Sequence, residues 1–292
     1  MPDRVDLPAG RSPAAEERPR YLGVLLTFAR NSLVRDMTFR GNFLIDTVSS
    51  LSWVLMNLGF YILIFEYTPM LGAGTGWGKN EFFLFLATGL MINSIVHAFF
   101  MPNADEFSEL IRTGSLDFAL LKPIDTQFLV SLTRVEWSSL GNFFFGVVLL
   151  AYALTQVDFT PGPVQWLLYP LYMACGIVIL YSLMFALAAT SIWLGRNQTL
   201  YDFWFYLTNF SRYPMEIYRG PLGTPLRRTF TFVIPVLLVV NVPARILVSP
   251  LLPRTAADWF LPLFALLATL ASFTASRWIF NRALLSYRSA SS

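Results

Sequence analysis

The chain has 292 residues, of which 55% are hydrophobic and only 13% are charged, with a formal net charge of +3. A soluble globular domain carries about 25% charged residues, so this composition excludes a soluble protein. The apolar runs are continuous over about 20 residues, which predicts an all-α integral membrane protein and excludes a membrane barrel with its short alternating strands.

The N-terminal 40 residues divide into two predicted segments. Residues 1–20 are rich in Pro, Ala, Arg and Glu without a hydrophobic pattern, which predicts a disordered cytoplasmic tail. Over residues 21–40, apolar side chains recur at helical spacing with Arg30, Arg35 and Arg40 between them. A basic amphipathic helix of this kind lies along a lipid surface, so we expect an interfacial helix here.

Hydropathy predicts six transmembrane helices after this segment. They lie near residues 43–66, 81–101, 138–157, 166–194, 229–249 and 259–280, and a short tail follows at 286–292. Many Trp and Tyr residues fall near the ends of these runs, as interfacial aromatics do. The fourth run is longer than one crossing requires, so we expect it to tilt or to extend beyond the bilayer.

The position of the fifth span has two interpretations. In the first, 229–249 crosses the membrane and the aromatic segment 200–218 is an interfacial helix. In the second, 200–218 crosses and 229–249 is a re-entrant hairpin broken at Pro235 and Pro243. The charge pattern favours the first, because the second moves four arginines outside. The prolines and Arg245 favour the second, because irregular backbone at membrane depth is tolerated where protein shields it.

The distribution of positive charge predicts the orientation. With the N-terminus inside, eighteen of the 21 Lys and Arg residues fall in inner segments. Such a bias is the positive-inside signal of membrane proteins, and it places both termini in the cytoplasm.

A polar island at residues 101–137 interrupts the apolar sequence and contains six acidic and three basic residues. The sequence predicts a helix from about 105 to 113, a break at Gly114, and a second helix that stops before Pro123. A plain connection between spans needs only a few residues, so we interpret the island as a cytoplasmic docking surface.

The first helix of the polar island has the pattern of a contact element. Glu106, Glu109 and Arg112 recur at i, i+3 and i+6, which gives one charged face. Phe107, Leu110 and Ile111 are predicted to be apolar anchors for a partner.

Motifs for chemistry within the chain are missing. Residues 72–80 resemble a phosphate-binding loop but have Ala73 and Asn80 where that loop requires Gly and Ser or Thr. The single histidine, His97, and the single cysteine, Cys175, supply no metal site and no nucleophile–base pair. We therefore predict no catalytic, cofactor-binding or metal-binding residues, and no nucleic-acid partner.

Two other function classes fit these residues less well. An ion-coupled secondary transporter of amphipathic compounds is the alternative function, but such a protein carries acids or histidines deep in the membrane, and this sequence has few. A membrane-embedded enzyme needs paired carboxylates or a histidine cluster at one membrane face, and no such arrangement is evident.

Several strings together resemble a known family. They are Phe-Arg-Gly-Asn-Phe at 39–43, Leu-Ile-Arg-Thr-Gly-Ser-Leu-Asp-Phe-Ala-Leu-Leu-Lys-Pro at 110–123, Ser-Arg-Tyr-Pro at 211–214, Phe-Val-Ile-Pro-Val at 232–236 and Asn-Val-Pro-Ala at 241–244. In these strings the chain resembles the ABC-2 type permease superfamily, and within it the bacterial "ABC-2 family transporter protein" branch, over roughly residues 20–285. The string at 110–123 is the most specific.

The resemblance implies that residues 21–285 form one transmembrane domain, the permease subunit of an ATP-binding cassette exporter in the bacterial inner membrane. A separate cytoplasmic ATPase subunit would bind Mg-ATP, and a second identical or related permease would complete the pathway. The coupling region would be residues 105–122, with the interfacial helix as a second contact. The coupling candidates are Glu106, Phe107, Glu109, Leu110, Arg112, Asp117 and Lys122.

Overall fold

The computed structural model describes residues 20–72, 75–194, 198–248 and 259–287, with the backbone alone at 198–203. All regular structure in these ranges is helical, apart from one isolated bridge between Met70 and Gly78. The predicted tails at 1–20 and 286–292 lie almost wholly outside the described residues, as do Ala73 of the rejected loop motif and the end of the run 229–249.

Thirteen α-helices are formed in the described ranges. They are α1 Tyr21–Thr38, α2 Arg40–Tyr67, α3 Lys79–Phe99, α4 Met101–Arg112, α5 Leu116–Leu120, α6 Thr126–Leu132, α7 Leu140–Gln156, α8 Pro163–Ala189, α9 Ser191–Leu194, α10 Gln198–Phe210, α11 Gly220–Arg228, α12 Val236–Val248 and α13 Phe260–Ser286. Short 3-10 turns precede α7 and α11, and a π-helical turn, Thr229–Val233, follows α11.

Five predicted spans coincide with long apolar helices: α2, α3, α7, α8 and α13 each lie in a stretch long and apolar enough to cross a membrane. The stretch Lys79–Arg112 combines α3 and α4 over 34 residues, whereas a crossing needs about 20. We therefore take α3 as the span and α4 as its extension beyond the bilayer. The chain is a multi-pass helical membrane protein.

The helices α3 and α8 form the centre of the bundle. The helix α7 packs against α3, and both α12 and α13 pack against α8. The contact between α3 and α7 is close at Gly146, where an added Cβ would lie 2.8 Å from Cγ of Met91. Small residues at such crossings let helix backbones approach within the membrane.

The predicted run 229–249 is not one straight helix. The segments Gly220–Val233 and Val236–Val248 meet at an angle of 86°, with Ile234 and Pro235 at the break. The prediction of a second break at Pro243 is wrong, because α12 continues through it. Val239, whose carbonyl would normally accept the N–H of residue 243, lies against Gly176 of α8, and this packing supports the helix.

The contacts of this region place its two ends at the same end of the bundle. Glu216 accepts a hydrogen bond from Trp77, just before α3, and it forms an ion pair with Arg245. The carbonyl of Ile246 accepts a hydrogen bond from Gln165 in the first turn of α8. Both Glu216 and Ile246 therefore lie where α3 and α8 begin.

The start of α12 lies much deeper in the bundle. Val240 lies against Gly89 and Val239 lies against Gly176, which are the midpoints of α3 and α8. The segment from Glu216 to Ile246 therefore descends to the middle of the bundle and returns, which favours the re-entrant interpretation.

The chain before Glu216 must then pass from one end of the bundle to the other. The helix α8 ends near α4, where the Ser191 and Ser108 hydroxyl oxygens are 3.4 Å apart. Glu216 lies at the opposite end. The connection between these ends includes α10, so the contacts favour the 200–218 segment as the fifth crossing.

Replacing Gly176 by alanine tests the close contact between α8 and α12. An added Cβ would lie 2.7 Å from the Val239 carbonyl oxygen, so α12 must move away. We expect a loss of about 1–3 kcal/mol in stability, the usual cost of overpacking, measured as a lower thermal unfolding midpoint of the purified protein. The matched control is Gly59→Ala in α2, where an added Cβ would have no neighbouring side chain or packed helix within 4 Å. Equal midpoints for the two variants would contradict this packing.

Candidate functional site

The polar island folds as three short helices, α4, α5 and α6. The predicted break is confirmed: α4 ends at Arg112 and Gly114 has a φ of 72°, in the left-handed region that favours glycine. The second helix, α5, ends at Leu120, before Pro123. The observed start of α4 at Met101 is four residues earlier than predicted, because Pro102 is accommodated in its first turn.

Hydrogen bonds fasten α4 to the end of the polar island. The Asn103 side chain donates to the Arg134 carbonyl at 2.7 Å and accepts from the Arg134 backbone N–H at 2.8 Å. The Arg134 guanidinium also lies 2.5 Å from Oε2 of Glu106. Glu106, a predicted coupling residue, is therefore engaged within the chain.

A second network fastens the polar island to the membrane helices. Asp125 caps α6 by accepting the Phe128 backbone N–H at 2.9 Å, and its carboxylate pairs with Arg277 of α13. This guanidinium lowers the pKa of Asp125. Gln127 accepts from Arg277 at 3.1 Å and donates to the Tyr181 hydroxyl of α8 at 3.1 Å. A displacement of α6 would therefore be transmitted to α8 and α13.

The helix α1 is attached to the same region. Ser32 accepts the Val135 backbone N–H at 3.0 Å, and the Trp137 indole donates to the Ala29 carbonyl at 3.2 Å. Asp36 accepts the Trp137 backbone N–H at 3.3 Å. The three predicted arginines of this region, Arg30, Arg35 and Arg40, are exposed.

The opposite face of α1 exposes apolar side chains. Leu22 is 70% exposed, and Leu26 and Val34 are also largely exposed. One face of α1 thus packs on the polar island, while Leu22, Leu26 and Val34 expose apolar side chains elsewhere on the helix.

Carboxylates gather where α1, α2 and the polar island meet. Burial raises the pKa of Glu136, and the nearby Asp46 and Asp36 raise it further. The Glu136 backbone N–H donates to the Ala98 carbonyl at the end of α3 at 2.8 Å. This backbone hydrogen bond holds the segment against α3.

The predicted apolar anchors of α4 face inward. Phe107 is fully buried, and its ring centroid lies 5.5 Å from that of Phe280 in α13. Leu110 and Ile111 are partly buried against the same core. The prediction that Phe107 contacts a partner is wrong, because the face of α4 that carries it packs on the membrane helices.

The predicted charged residues of the coupling region lie nearer the surface. Glu109 and Arg112 are exposed and form a bidentate pair with each other, at 2.8 and 2.5 Å. Lys122 is exposed, while Asp117 is partly buried and interacts with Tyr287 after α13. The structure thus leaves Glu109, Arg112 and Lys122 available for contact.

An exposed apolar group on the polar island was missed by the sequence analysis. Phe118 is 72% exposed and Leu121 is 81% exposed, with Leu120 beside them at 41%. Leu116 and Ala119 of the same helix are buried, so α5 packs through one face and exposes the other. The signal was the string Phe-Ala-Leu-Leu between Gly114 and Pro123. We call Phe118, Leu120 and Leu121 the apolar patch.

The polar island therefore combines a firm attachment with an open surface. Hydrogen bonds and ion pairs join it to α1, α8 and α13, while the apolar patch and the Glu109–Arg112 pair remain exposed. Among the residues that the structure describes, no group of three or more His, Cys, Asp or Glu side chains could hold a metal ion. The arrangement is suited to binding another protein and passing on its movement.

Comparison with known proteins gives one match. The family model described as "ABC-2 family transporter protein" matches residues 51–291, from α2 to beyond the end of α13 and including the whole polar island. No curated protein and no solved structure matches the chain.

Proposed function

Because the chain belongs to the ABC-2 transporter family, whose membrane components normally work with an ATP-binding subunit, we propose that it is the permease subunit of an ATP-driven exporter. A separate ATPase supplies Mg-ATP hydrolysis, and this chain binds no cofactor. The observation that carries the proposal is the exposed apolar patch on the polar island. In a chain of this kind, such a patch outside the membrane helices is typical of a protein interaction site.

The attachment of the polar island supports a coupling role. An ATPase that moves the island as a rigid body also moves α13 through Asp125 and Arg277, and α1 through Ser32 and Trp137. The coupling region 105–122 then contacts the ATPase through Phe118, Leu121, Glu109 and Arg112. The buried Phe107 acts from within by holding α4 on α13.

The orientation and the lipid contact follow from charge and exposure. We place both termini and the polar island in the cytoplasm, where fourteen of the 21 Lys and Arg residues then lie. The helix α1 lies in the inner leaflet, with Leu22 and Leu26 towards the acyl chains and its arginines towards anionic head groups. The membrane is the cell membrane.

Residues 21–285 act as one transmembrane domain. The fifth crossing includes α10, and the segment between Glu216 and Ile246 is a re-entrant hairpin on the outer side. A second permease, identical or related, pairs with this chain, and the export pathway lies between the two.

Purification with its ATPase tests the proposed function. The chain is expressed with the ABC ATPase encoded beside it, purified through a tag on the permease and reconstituted into liposomes. We expect the ATPase to co-purify and its hydrolysis rate to change when the permease is present. Recovery of the permease without any ABC ATPase from native membranes would contradict the proposal.

Replacing Glu109 and Arg112 together by alanine tests the charged part of the surface. Both side chains are exposed and pair only with each other among the described residues, so folding depends little on them. We expect about tenfold weaker coupling, read as the change in ATPase rate on reconstitution, because exposed Arg side chains are frequent hot spots of interfaces.

The amount of this variant in the membrane is the control. It should equal the native amount on an immunoblot of isolated membranes. Native ATPase coupling by the double variant at a native membrane level would remove this pair from the proposed contact.

A further inference from the structure

Arg212 lies at membrane depth on the crossing segment that contains α10. The preceding Phe210 stacks on Phe230 of the descending arm of the hairpin at 4.1 Å between ring centroids. The following Met215 donates its backbone N–H to the fully buried Asn241 of α12 at 2.9 Å. Arg212 therefore lies between two levels of the hairpin and well inside the bundle's length.

The electrostatic neighbours of Arg212 bracket the same depth. Its charge acts on Tyr61 in the second half of α2 and on His97 near the end of α3. These helices run in opposite directions, so Tyr61 lies towards the end of the bundle marked by Trp77, and His97 lies towards the polar island. A guanidinium that reaches both lies between the two ends.

The surroundings of Arg212 form an open polar and aromatic surface. Arg212 and His97 are exposed on the surface of the chain, and the Arg212 guanidinium lies 5.8 Å from the centre of the Phe205 ring. Tyr206 is 64% exposed and Tyr213 is 39% exposed.

No carboxylate among the described side chains pairs with Arg212. The ion pairs in those ranges use Arg35, Arg112, Arg134, Arg245 and Arg277. The buried carboxylate of Glu216 lies four residues after Arg212 in the sequence, but it forms its ion pair with Arg245. Arg212 thus presents a charge at membrane depth that this chain leaves without a counter-ion in its described part.

Exposing the Arg212 charge to the acyl chains of lipid would be unfavourable in free energy. Arginine in a membrane helix costs about 2.5–3.5 kcal/mol or more at the bilayer centre, and such residues face protein or a water-filled cavity. An anion brought to this surface would supply the counter-ion that no carboxylate in the described part of the chain supplies. The missing counter-ion is therefore expected from the molecule that passes through.

We propose that Arg212, together with Phe205, Tyr206 and Tyr213, binds the anionic head group of an amphipathic substrate. The inference rests on the proposed function, because it requires this surface to line the export pathway. The planar guanidinium matches a carboxylate, phosphate or sulfonate through two parallel hydrogen bonds. Stacking on Phe205 holds the guanidinium in place, and the aromatic rings accept the apolar part of the substrate. The substrate class is an amphipathic anion.

The test uses two probes of equal chain length and opposite charge, dodecanoate and dodecyltrimethylammonium. Their binding to the full chain in phosphatidylcholine nanodiscs is measured by calorimetry, with empty nanodiscs subtracted. We expect the chain to bind dodecanoate above the lipid background and to bind the cation no more than the lipid does. Arg212→Gln should weaken dodecanoate binding at least about tenfold, because it removes a charge-assisted pair. Arg212→Lys keeps the charge but not the bidentate geometry, so it should weaken dodecanoate binding less than Arg212→Gln does.

The matched control is Arg282→Gln. Arg282 also lies over an aromatic ring, 5.7 Å from the centre of Trp278, but it lies in the last turns of α13. Its replacement should leave dodecanoate binding unchanged. Equal losses in the two variants would overturn the proposal, as would native binding of dodecanoate by Arg212→Gln.

Two further outcomes separate the sources of failure. In the first, the native chain does not bind dodecanoate, and Arg212→Gln loses the permease dimer on size-exclusion chromatography. This result would assign Arg212 to an ion pair between subunits and overturn the substrate site. ATPase co-purification is measured on the same samples. If the ATPase still co-purifies while the substrate site fails, the proposed function stands without it.

Discussion

Replacing Phe118 and Leu121 together by aspartate is expected to abolish the association of this chain with its ATPase. These residues are the most exposed members of the apolar patch, at 72% and 81%. If they are the anchors of the interface, each loss costs about 2–4 kcal/mol, so the Kd should rise a hundredfold or more. The measurement is the Kd of purified permease in nanodiscs for the isolated ATPase.

Folding of this variant should be unaffected, because both side chains are already in contact with solvent or partner and surface substitutions usually change stability by about 0.5 kcal/mol or less. The control is Tyr67→Asp, which changes a residue that is 82% exposed at the end of α2, away from the polar island. Association at native strength by the Phe118 and Leu121 double variant would show that the apolar patch is not the contact.

Replacing Glu216 by alanine is expected to cause the largest loss of stability. Glu216 is 6% exposed, accepts the Trp77 indole N–H at 2.6 Å and pairs with Arg245. Removing one partner of a buried ion pair leaves the other charge uncompensated, which costs about 3–5 kcal/mol. Because Arg245 is partly exposed, we expect a value near the lower limit. The thermal unfolding midpoint of the purified protein measures it.

The conservative variant separates charge from hydrogen bonding. Glu216→Gln keeps an acceptor for Trp77 but loses the ion pair, so its midpoint should lie between those of the native protein and Glu216→Ala. The control is Glu66→Ala at the exposed end of α2, which should change little. A native midpoint for Glu216→Ala would mean that the pair with Arg245 does not hold the hairpin.

Local sequence signals predicted the elements of the fold well. Five long apolar runs became helices close to the predicted bounds, because a run of about 20 apolar residues has one solution in a membrane. The break at Gly114 and the stop before Pro123 were also readable, because glycine and proline act through their own backbone geometry. These features require no knowledge of distant residues.

Features that depend on tertiary packing were not predictable in the same way. Phe107 and Phe118 are both phenylalanines on short helices of the polar island, yet one is buried against Phe280 and the other is 72% exposed. Composition does not distinguish them, because packing against α13 determines which face of α4 is buried. In the same way, Pro235 lies at a break while Pro243 does not, since packing against Gly176 supports α12 around Pro243.

The position of the fifth crossing was also difficult to predict from the distribution of charge along the sequence. The positive-inside pattern favoured 229–249 as the span, because it counts arginines without their partners. In the structure Arg245 is paired with Glu216, which belongs to the other candidate segment, 200–218. Arg212 lies beside Phe205, and its proposed role in binding an anion would explain why a charge is retained at that depth.

In the proposed complex the apolar patch of the polar island contacts an ABC ATPase. The contact is tested by photo-crosslinking in intact cells from an unnatural amino acid placed at position 118. Position 67, at the end of the helix bundle opposite to the polar island, is the reference. We expect a crosslinked product of this chain with an ABC ATPase from position 118 and none from position 67. A product with an ATPase from position 67 and not from position 118 would contradict both the contact and the orientation.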